Sequence, residues 1–174
     1  MSRKNIVLIG FMGSGKSMVA KRLAKILKRD MVSLDGLVEA KEGRSVKQIF
    51  EESGEAYFRN REKEAVREAA GKEFLVIDCG GGVVLDPQNI VKLKANGILI
   101  YLSATPETIR ERVKNKKGRP LLNVKDPQKR IDELLKERTP LYAQADYTVV
   151  TDKKTVKQVG EEIIHLLTVG ASLP

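Results

Sequence analysis

Residues 5–17, Asn5-Ile-Val-Leu-Ile9 followed by Gly10-Phe-Met-Gly-Ser-Gly15-Lys16-Ser17, contain the pattern that decides the fold. After Asn5, the residues up to Ile9 form a short apolar run, which is typical of a strand buried on both faces. After the glycines, apolar residues recur at helical spacing: Val19, Ala20, Leu23, Ala24, Ile26 and Leu27. The stretch therefore predicts a strand, a glycine-rich turn and a helix in succession.

The turn matches the pattern G-x-x-x-x-G-K-[ST], in which backbone N–H groups surround phosphate oxygens. Glycines let the backbone turn these donors inward without a Cβ in the way, and the following helix adds its positive end. Lys16 would supply charge to the outer phosphates, and the Ser17 hydroxyl can ligate Mg²⁺. The sequence predicts a nucleotide site formed by Gly13, Ser14, Gly15, Lys16, Ser17 and Met18.

Four further apolar runs predict the other strands, at residues 31–34, 74–77, 98–102 and 147–150. Helix signals fall between them: a Ser45–Gln48 capping box, a stop at Gly71, and N-cap and proline pairs at 86–87, 105–106 and 126–127. A last helix is predicted over 155–169. This alternation predicts an α/β fold of three layers, α/β/α, with a central parallel sheet of about five strands. The length favours a single domain, residues 1–174.

The composition narrows the class of partner. The formal net charge is +9, but acidic and basic residues interleave, and aromatic residues make up only 5% of the chain. A stacking platform for nucleic acid is therefore not predicted, and small anionic substrates account for the charge. No apolar run reaches the roughly 20 residues of a membrane span, no signal-peptide pattern is present, and Cys79 is the sole cysteine. We expect a cytoplasmic monomer without membrane or nucleic-acid partners.

Polar residues follow the predicted strands at the carboxyl edge of the sheet, where open α/β sheets bind their ligands. They are Asp35, Asp78, the glycines Gly80–Gly82, Ser103 and Thr105. Two carboxylates and a triple glycine can supply a metal ligand, a general base and close backbone contact with a substrate. By contrast, the basic stretch 114–126 lacks periodicity and is predicted to be the least ordered segment.

The order of these motifs resembles that of the shikimate kinase family over nearly the whole chain. The shared features are the N-terminal phosphate loop, Asp35, Phe58-Arg59, Gly80-Gly-Gly82, Arg119-Pro-Leu-Leu122 and Arg138-Thr-Pro-Leu-Tyr142. The resemblance implies the parallel-sheet fold of nucleoside monophosphate kinases, a mobile lid at about 112–125, and a helical substrate-binding segment at about 36–62. It also implies a reaction, transfer of the ATP γ-phosphoryl group to the 3-hydroxyl of shikimate in aromatic amino acid (chorismate) biosynthesis.

On the acceptor side, the resemblance implies that Arg59 and Arg138 bind the shikimate carboxylate, which a planar guanidinium can hold through two parallel hydrogen bonds. Asp35 matches the residue that holds the ring hydroxyls and accepts the proton of the attacking one. The glycines Gly80, Gly81 and Gly82 match the substrate loop, where Gly81 would offer its N–H at a place too narrow for a side chain.

On the nucleotide side, Arg119 matches the lid arginine, which would close over the phosphates, stabilise the transferring charge and exclude water. Together with Lys16 and Asp35 it completes the implied catalytic set. Arg112 lies where the family packs an arginine near adenine. Lys153 or Lys154 would contact adenine from the loop after the last strand. The implied cofactors are ATP and Mg²⁺.

The sequence departs from the family at the metal. The family usually has the pattern D-x-D around the second strand, whereas this chain has Ser33-Leu34-Asp35. The family also has a small residue where this chain has Asp78. Because Val76-Ile77-Asp78 resembles a strand end at which an acid faces Mg²⁺, we hypothesise that Asp78 provides the carboxylate that position 33 lacks. A second departure, Met18 where threonine is common, leaves the Ser17 hydroxyl in place.

Two alternatives stay open at this point. One is a kinase of another small carboxylated polyol such as gluconate, against which the two arginines, the triple glycine and the R-x-P-L-Y run argue. The other is a catalytically silent nucleotide-binding relative, which Ser33 alone favours.

Overall fold

Five parallel strands form one sheet at the centre of the protein, in the order β2-β3-β1-β4-β5. The structure, a computed structural model, describes residues 3–114 and 120–170. The strands are β1 (Asn5–Ile9), β2 (Asp30–Ser33), β3 (Leu75–Asp78), β4 (Gly97–Ser103) and β5 (Tyr147–Val150). The predicted parallel sheet is confirmed, with β1 at its centre.

Helices fill the connections between the strands. They are α1 (Lys16–Leu27), α2 (Leu34–Glu42), α3 (Val46–Ala70), α4 (Pro87–Ala95), α5 (Pro106–Val113), α6 (Pro127–Tyr142) and α7 (Val156–Gly170), with 3₁₀ turns at Val83–Leu85 and Pro120–Leu122. The predicted caps are present: Ser45 and Gln48 form a capping box, and the residues before the three helix-initial prolines each accept a hydrogen bond in the first turn.

The side chains of β1 alternate between two apolar cores, as a strand buried on both faces requires. Val7 and Ile9 pack in a core with α2 to α6, whereas Ile6 and Leu8 pack in a core with α1 and α7. These two cores make the three predicted layers. No helix of the described ranges is long and apolar enough to cross a bilayer.

The second strand ends earlier than predicted. Residues 31–34 were expected to be extended, but β2 ends at Ser33, and Leu34 and Asp35 lie in the first turn of α2. The physical reason is a cap: the Ser33 hydroxyl accepts a hydrogen bond from Gly36 N at 3.2 Å and starts the helix. Asp35 is therefore held by a helix and not by a strand end.

Two other boundaries differ from the predictions. The third strand begins at Leu75, because Phe74 has φ 64° and its ring lies under the Arg29 guanidinium. The sixth helix continues past Arg138 to Tyr142 even though it contains Pro140. Within α3, Gly54 adopts φ 83° and ψ 170°, which breaks the helix into two segments at a conformation open essentially to glycine alone.

Candidate active site

The phosphate loop connects the carboxyl end of β1 to α1, as predicted. Gly15 is the N-cap of α1 with φ 98°, a left-handed conformation that residues with a Cβ rarely adopt. Lys16 follows as the first helical residue and is only 8% exposed. Its Nζ donates to Gly10 O at 2.8 Å and Phe11 O at 2.9 Å, which folds the side chain back over the loop. The loop and its lysine thus form one wall of a cavity.

That cavity has a volume of about 600 Å³ and extends from the loop towards β5 and α7. The predicted nucleotide residues that line it are Gly13, Ser14, Gly15, Lys16, Ser17, Met18, Arg112 and Lys154. The Arg112 guanidinium is fixed by Thr151, donating to its Oγ1 at 3.0 Å and its carbonyl at 2.9 Å. Lys154 forms an ion pair with Glu162 at 2.6 Å. Lys153, the alternative to Lys154, does not line the cavity.

Asp78 and Ser17 meet at the base of this cavity. Both residues line the cavity, and the Ser17 hydroxyl is close enough to the Asp78 carboxylate to favour its charged form. Burial raises the pKa of Asp78, and the Ser17 hydroxyl and the charge of Lys16 oppose that shift. Ser33 pairs with Asp78 across β2 and β3, so the two positions occupy the same register at the carboxyl edge of the sheet. An acid at position 78, at the end of the neighbouring strand, can therefore take the place of an acid at position 33.

The oxygens of Asp78 and Ser17 fit the preference of Mg²⁺ for hard ligands. Among the described residues, no group of three or more His, Cys, Asp or Glu residues is arranged to hold a metal. Mg²⁺ in nucleotide sites is commonly bound by one or two protein oxygens together with substrate phosphates and water. The observed pair suits that arrangement, and an all-protein metal cage is not required for it.

A second cavity, of about 350 Å³, adjoins the first. Both are lined by Met12, Asp35, Gly80 and Gly81. A Cβ added at Gly80 would lie only 2.9 Å from Asp35 Oδ1, so the carboxylate packs directly against the glycine loop. Burial raises the pKa of Asp35, with a further contribution from the charge of Asp78, and Lys16 opposes both. Asp35 therefore stands between the two cavities with an elevated basicity.

Arg59 and Arg138 lie in the second cavity, as the resemblance implies. Arg138 is 2% exposed, and its Nε has no hydrogen-bond partner among the described residues. A buried cationic donor without an acceptor is costly unless a ligand supplies one. Arg59 is held at 2.9 Å from Glu55 and 2.7 Å from Glu62, and its guanidinium covers Gly82 so closely that any Cβ there would overlap it. The cavity therefore offers two guanidinium groups, of which Arg138 has a donor free for an acceptor.

Glu62 is the residue that sequence reasoning missed. It is 1% exposed, its Oε2 accepts from Arg59, and its Oε1 has no partner among the described residues. Burial raises the pKa of Glu62, although the charge of Arg59 opposes this. Its spacing of three residues from Arg59 on one helix was an available signal, because such pairs share a helix face.

The triple glycine begins one residue beyond β3, and two of its carbonyls accept hydrogen bonds from the turn that follows. Val83 N donates to Gly80 O and Leu85 N to Gly82 O. The N–H groups of Gly81 and Gly82 donate to no acceptor within residues 3–114 and 120–170. A Cβ on Gly81 would lie 3.3 Å from Met12 N, so the approach of the phosphate loop already favours glycine there. These free N–H groups are donors for a ligand.

The remaining predicted site residue, Arg119, lies outside the described residues, as does part of the predicted lid at 112–125. Apart from Lys153, the other site residues predicted from the sequence line the first cavity, the second cavity or both. Gly82, Arg59 and Arg138 line the second cavity alone.

The chain is similar to proteins named shikimate kinase. A family described as shikimate kinase matches residues 12–168. A shikimate kinase of Caldanaerobacter subterraneus is 52% identical over 162 residues, covering 93% of this chain and 95% of that protein. One of Pelotomaculum thermopropionicum is 51% identical over 164 residues, covering 94% and 95%. The solved structure of a shikimate kinase from Acinetobacter baumannii in complex with shikimate has a TM-score of 0.93 at 36% identity, covering 99% of this chain and 97% of that one.

Proposed function

The chain belongs to the shikimate kinase family, and from that membership we propose that its site transfers the γ-phosphoryl group of ATP to the 3-hydroxyl of shikimate, in chorismate and aromatic amino acid biosynthesis. One observation carries this assignment to the site itself. A phosphate-loop cavity and a cavity lined by a buried arginine whose Nε lacks a hydrogen-bond partner meet at a single carboxylate, Asp35. A phosphoryl donor and a carboxylated acceptor can therefore face each other across one base.

The phosphates of ATP would occupy the loop, where the N-terminus of α1 and Lys16 stabilise negative charge. The adenine of ATP would lie towards Arg112 and Lys154. The Arg112 guanidinium is already fixed at its edge by Thr151, which leaves its flat face for stacking on a purine.

Shikimate would bind with its carboxylate on Arg138 and Arg59. Arg138 Nε then gains the acceptor it lacks, and a guanidinium can hold a carboxylate through two hydrogen bonds. The ring hydroxyls would face Asp35 and the N–H groups of Gly81 and Gly82. Because burial and Asp78 raise the pKa of Asp35, this carboxylate is a stronger proton acceptor than an exposed aspartate.

Ser17 and Asp78 would hold Mg²⁺, Ser17 by its hydroxyl and Asp78 by its carboxylate. A bound Mg²⁺ neutralises charge that develops on the transferring phosphoryl group. We assign the closing lid to about 112–125, with Arg119 as its phosphate-facing arginine, and the acceptor-binding segment to about 36–62. Action as a monomer and a cytoplasmic location stay predictions.

The test is ADP release measured with shikimate, with gluconate and without an acceptor. We expect release with shikimate only. Release with gluconate alone would indicate the polyol kinase, and nucleotide binding without release for any acceptor would indicate the silent relative.

A matched pair of arginine variants tests the acceptor cavity. Arg138→Ala should raise the KM for shikimate by about 30-fold or more, since truncating one partner of a buried charge pair costs about 2–5 kcal/mol. Arg130→Ala is the control, because Arg130 lies on the same helix, is half-exposed and pairs only with Glu133. Equal KM values for the two variants would remove Arg138 from the acceptor site.

A further inference from the structure

Tyr142, in the last turn of α6, is the largest fully buried side chain of the protein's described residues. Its ring stacks on that of Tyr101 from β4, with centroids 4.9 Å apart and planes 18° apart. Its hydroxyl donates a short hydrogen bond to Gly81 O, across 61 positions of sequence. A buried phenol thus joins α6 to the triple glycine.

The same hydroxyl lies beside Arg138. Residues 138 and 142 are four positions apart and share one face of α6. Both side chains are buried, burial raises the pKa of Tyr142, and the charge of Arg138 opposes that shift. The tyrosine stays a neutral donor at physiological pH, and its proton is committed to Gly81.

Holding the Gly81 carbonyl also fixes the donor on the far side of the same peptide plane. A trans peptide is planar, so its C=O and the following N–H point in opposite directions. The Gly82 N–H is therefore oriented by the Tyr142 hydroxyl, although the two groups never touch. Glycines have wide conformational freedom, and a loop of three needs such a contact to keep one orientation.

We propose that Tyr142 is a positioning residue for the acceptor: its hydroxyl holds the glycine loop at a fixed distance and orientation from Arg138. The carboxylate anchor and the N–H donors for the acceptor then form one rigid unit. The identity of the acceptor rests on the proposed function, but the connection between α6 and the loop does not.

The test is Tyr142→Phe, which keeps the ring stack and removes only the hydroxyl. A net buried hydrogen bond of about 1 kcal/mol predicts a rise of about 5- to 10-fold in the KM for shikimate, with the KM for ATP changed by less than about 2-fold. The control is Tyr101→Phe, which removes the hydroxyl from the other ring of the same stack. The neighbours of that hydroxyl are Ser103 and Thr139, not the glycine loop. We expect both KM values of the control to match the wild type.

A merely structural tyrosine would lower the melting temperature and leave the ratio of the two KM values unchanged, which would overturn the proposal. A second measurement needs no substrate. In protein labelled with ¹⁵N-glycine, Tyr142→Phe should shift the Gly82 amide signal, and Tyr101→Phe should not. An unmoved Gly82 signal overturns the proposal even where the wild type is inactive on shikimate. Inactivity of the wild type with a shifted signal counts against the proposed function alone.

Discussion

The proposed role of Asp78 in binding the metal can be tested by removing its charge and by placing an acid at position 33 of the neighbouring strand instead. In Asp78→Asn, a buried carboxylate that contacts Ser17 becomes neutral with almost no change in shape. Two unit charges about 4 Å apart at an effective dielectric constant of about 20 attract by about 4 kcal/mol. The asparagine oxygen and the nucleotide phosphates still attract the metal and offset part of this lost attraction. We therefore expect the affinity for Mn²⁺ to fall by about 10- to 100-fold, the usual cost of losing a group that supports a metal.

Ser33→Asp in the Asp78→Asn background should restore most of the loss. Positions 33 and 78 are paired in register, and neighbouring strands are about 4.8 Å apart, so the charge moves by only that distance. Aspartate is as good an N-cap as serine, so α2 should begin where it does now. Ser33→Asp alone places two acids side by side, and we expect it to lower the melting temperature of the metal-free protein.

Binding is measured by electron paramagnetic resonance of Mn²⁺ with ADP and without shikimate, so that the readout does not depend on turnover. Asp30→Asn is the control, because Asp30 is an exposed acid at the opposite end of β2. Should Asp78→Asn bind Mn²⁺ as the wild type does, Asp78 has no part in the metal site. Failure of Ser33→Asp to restore affinity would refute the equivalence of the two strand ends.

Three further changes probe neighbouring parts of the site. Glu62→Gln should raise the KM for shikimate by about 10-fold, because a charge-assisted hydrogen bond of about 1.5–3 kcal/mol orients Arg59; steady-state kinetics with an unchanged KM would exclude that role. Gly54→Ala should cost about 1–3 kcal/mol in urea unfolding through backbone strain, since an added Cβ there meets no atom within 4 Å. Gly160→Ala in α7 should cost less, because its backbone is helical and the nearest atom to an added Cβ, Arg22 Cδ at 3.3 Å, belongs to a flexible side chain. Asp35→Asn should abolish turnover yet raise the melting temperature at pH 7. The pKa of Asp35 is raised in the folded protein, so the unfolded chain loses this proton at a lower pH than the folded protein does. Stability therefore falls as pH rises and Asp35 ionises, and asparagine removes that loss.

Much of the fold follows from local pattern. The run Ile6–Ile9 is apolar throughout because both faces of β1 are covered, and a buried strand suits four such residues before a glycine turn. The three N-cap and proline pairs fixed the helix starts at Pro87, Pro106 and Pro127 for an equally local reason. Where the chain's own geometry decides, sequence was sufficient.

The errors arose where a tertiary contact decided. Extension of α6 to Tyr142 overrides the local cost of Pro140, and the Tyr142 hydroxyl bond to Gly81 joins segments that no periodicity relates. Glu62 looked like one more charge on an amphipathic helix until its burial against Arg59 was known. Sequence could therefore name the residues that line the cavities more readily than the residues that support them.

The two acids of the site differ in how freely evolution can move them, and the register explains why. Asp78 ends a strand, and the adjoining strand end at Ser33 offers an almost equivalent place for a carboxylate about one strand spacing away. Asp35 lies in the first turn of α2, where its direction is set by the Ser33 cap and its environment by Gly80. A shift of one residue along a helix turns a side chain by about 100°, so no neighbouring position reaches the junction of the two cavities. In the proposed site, the carboxylate that would hold the metal can thus change strands, whereas the carboxylate between the two cavities cannot.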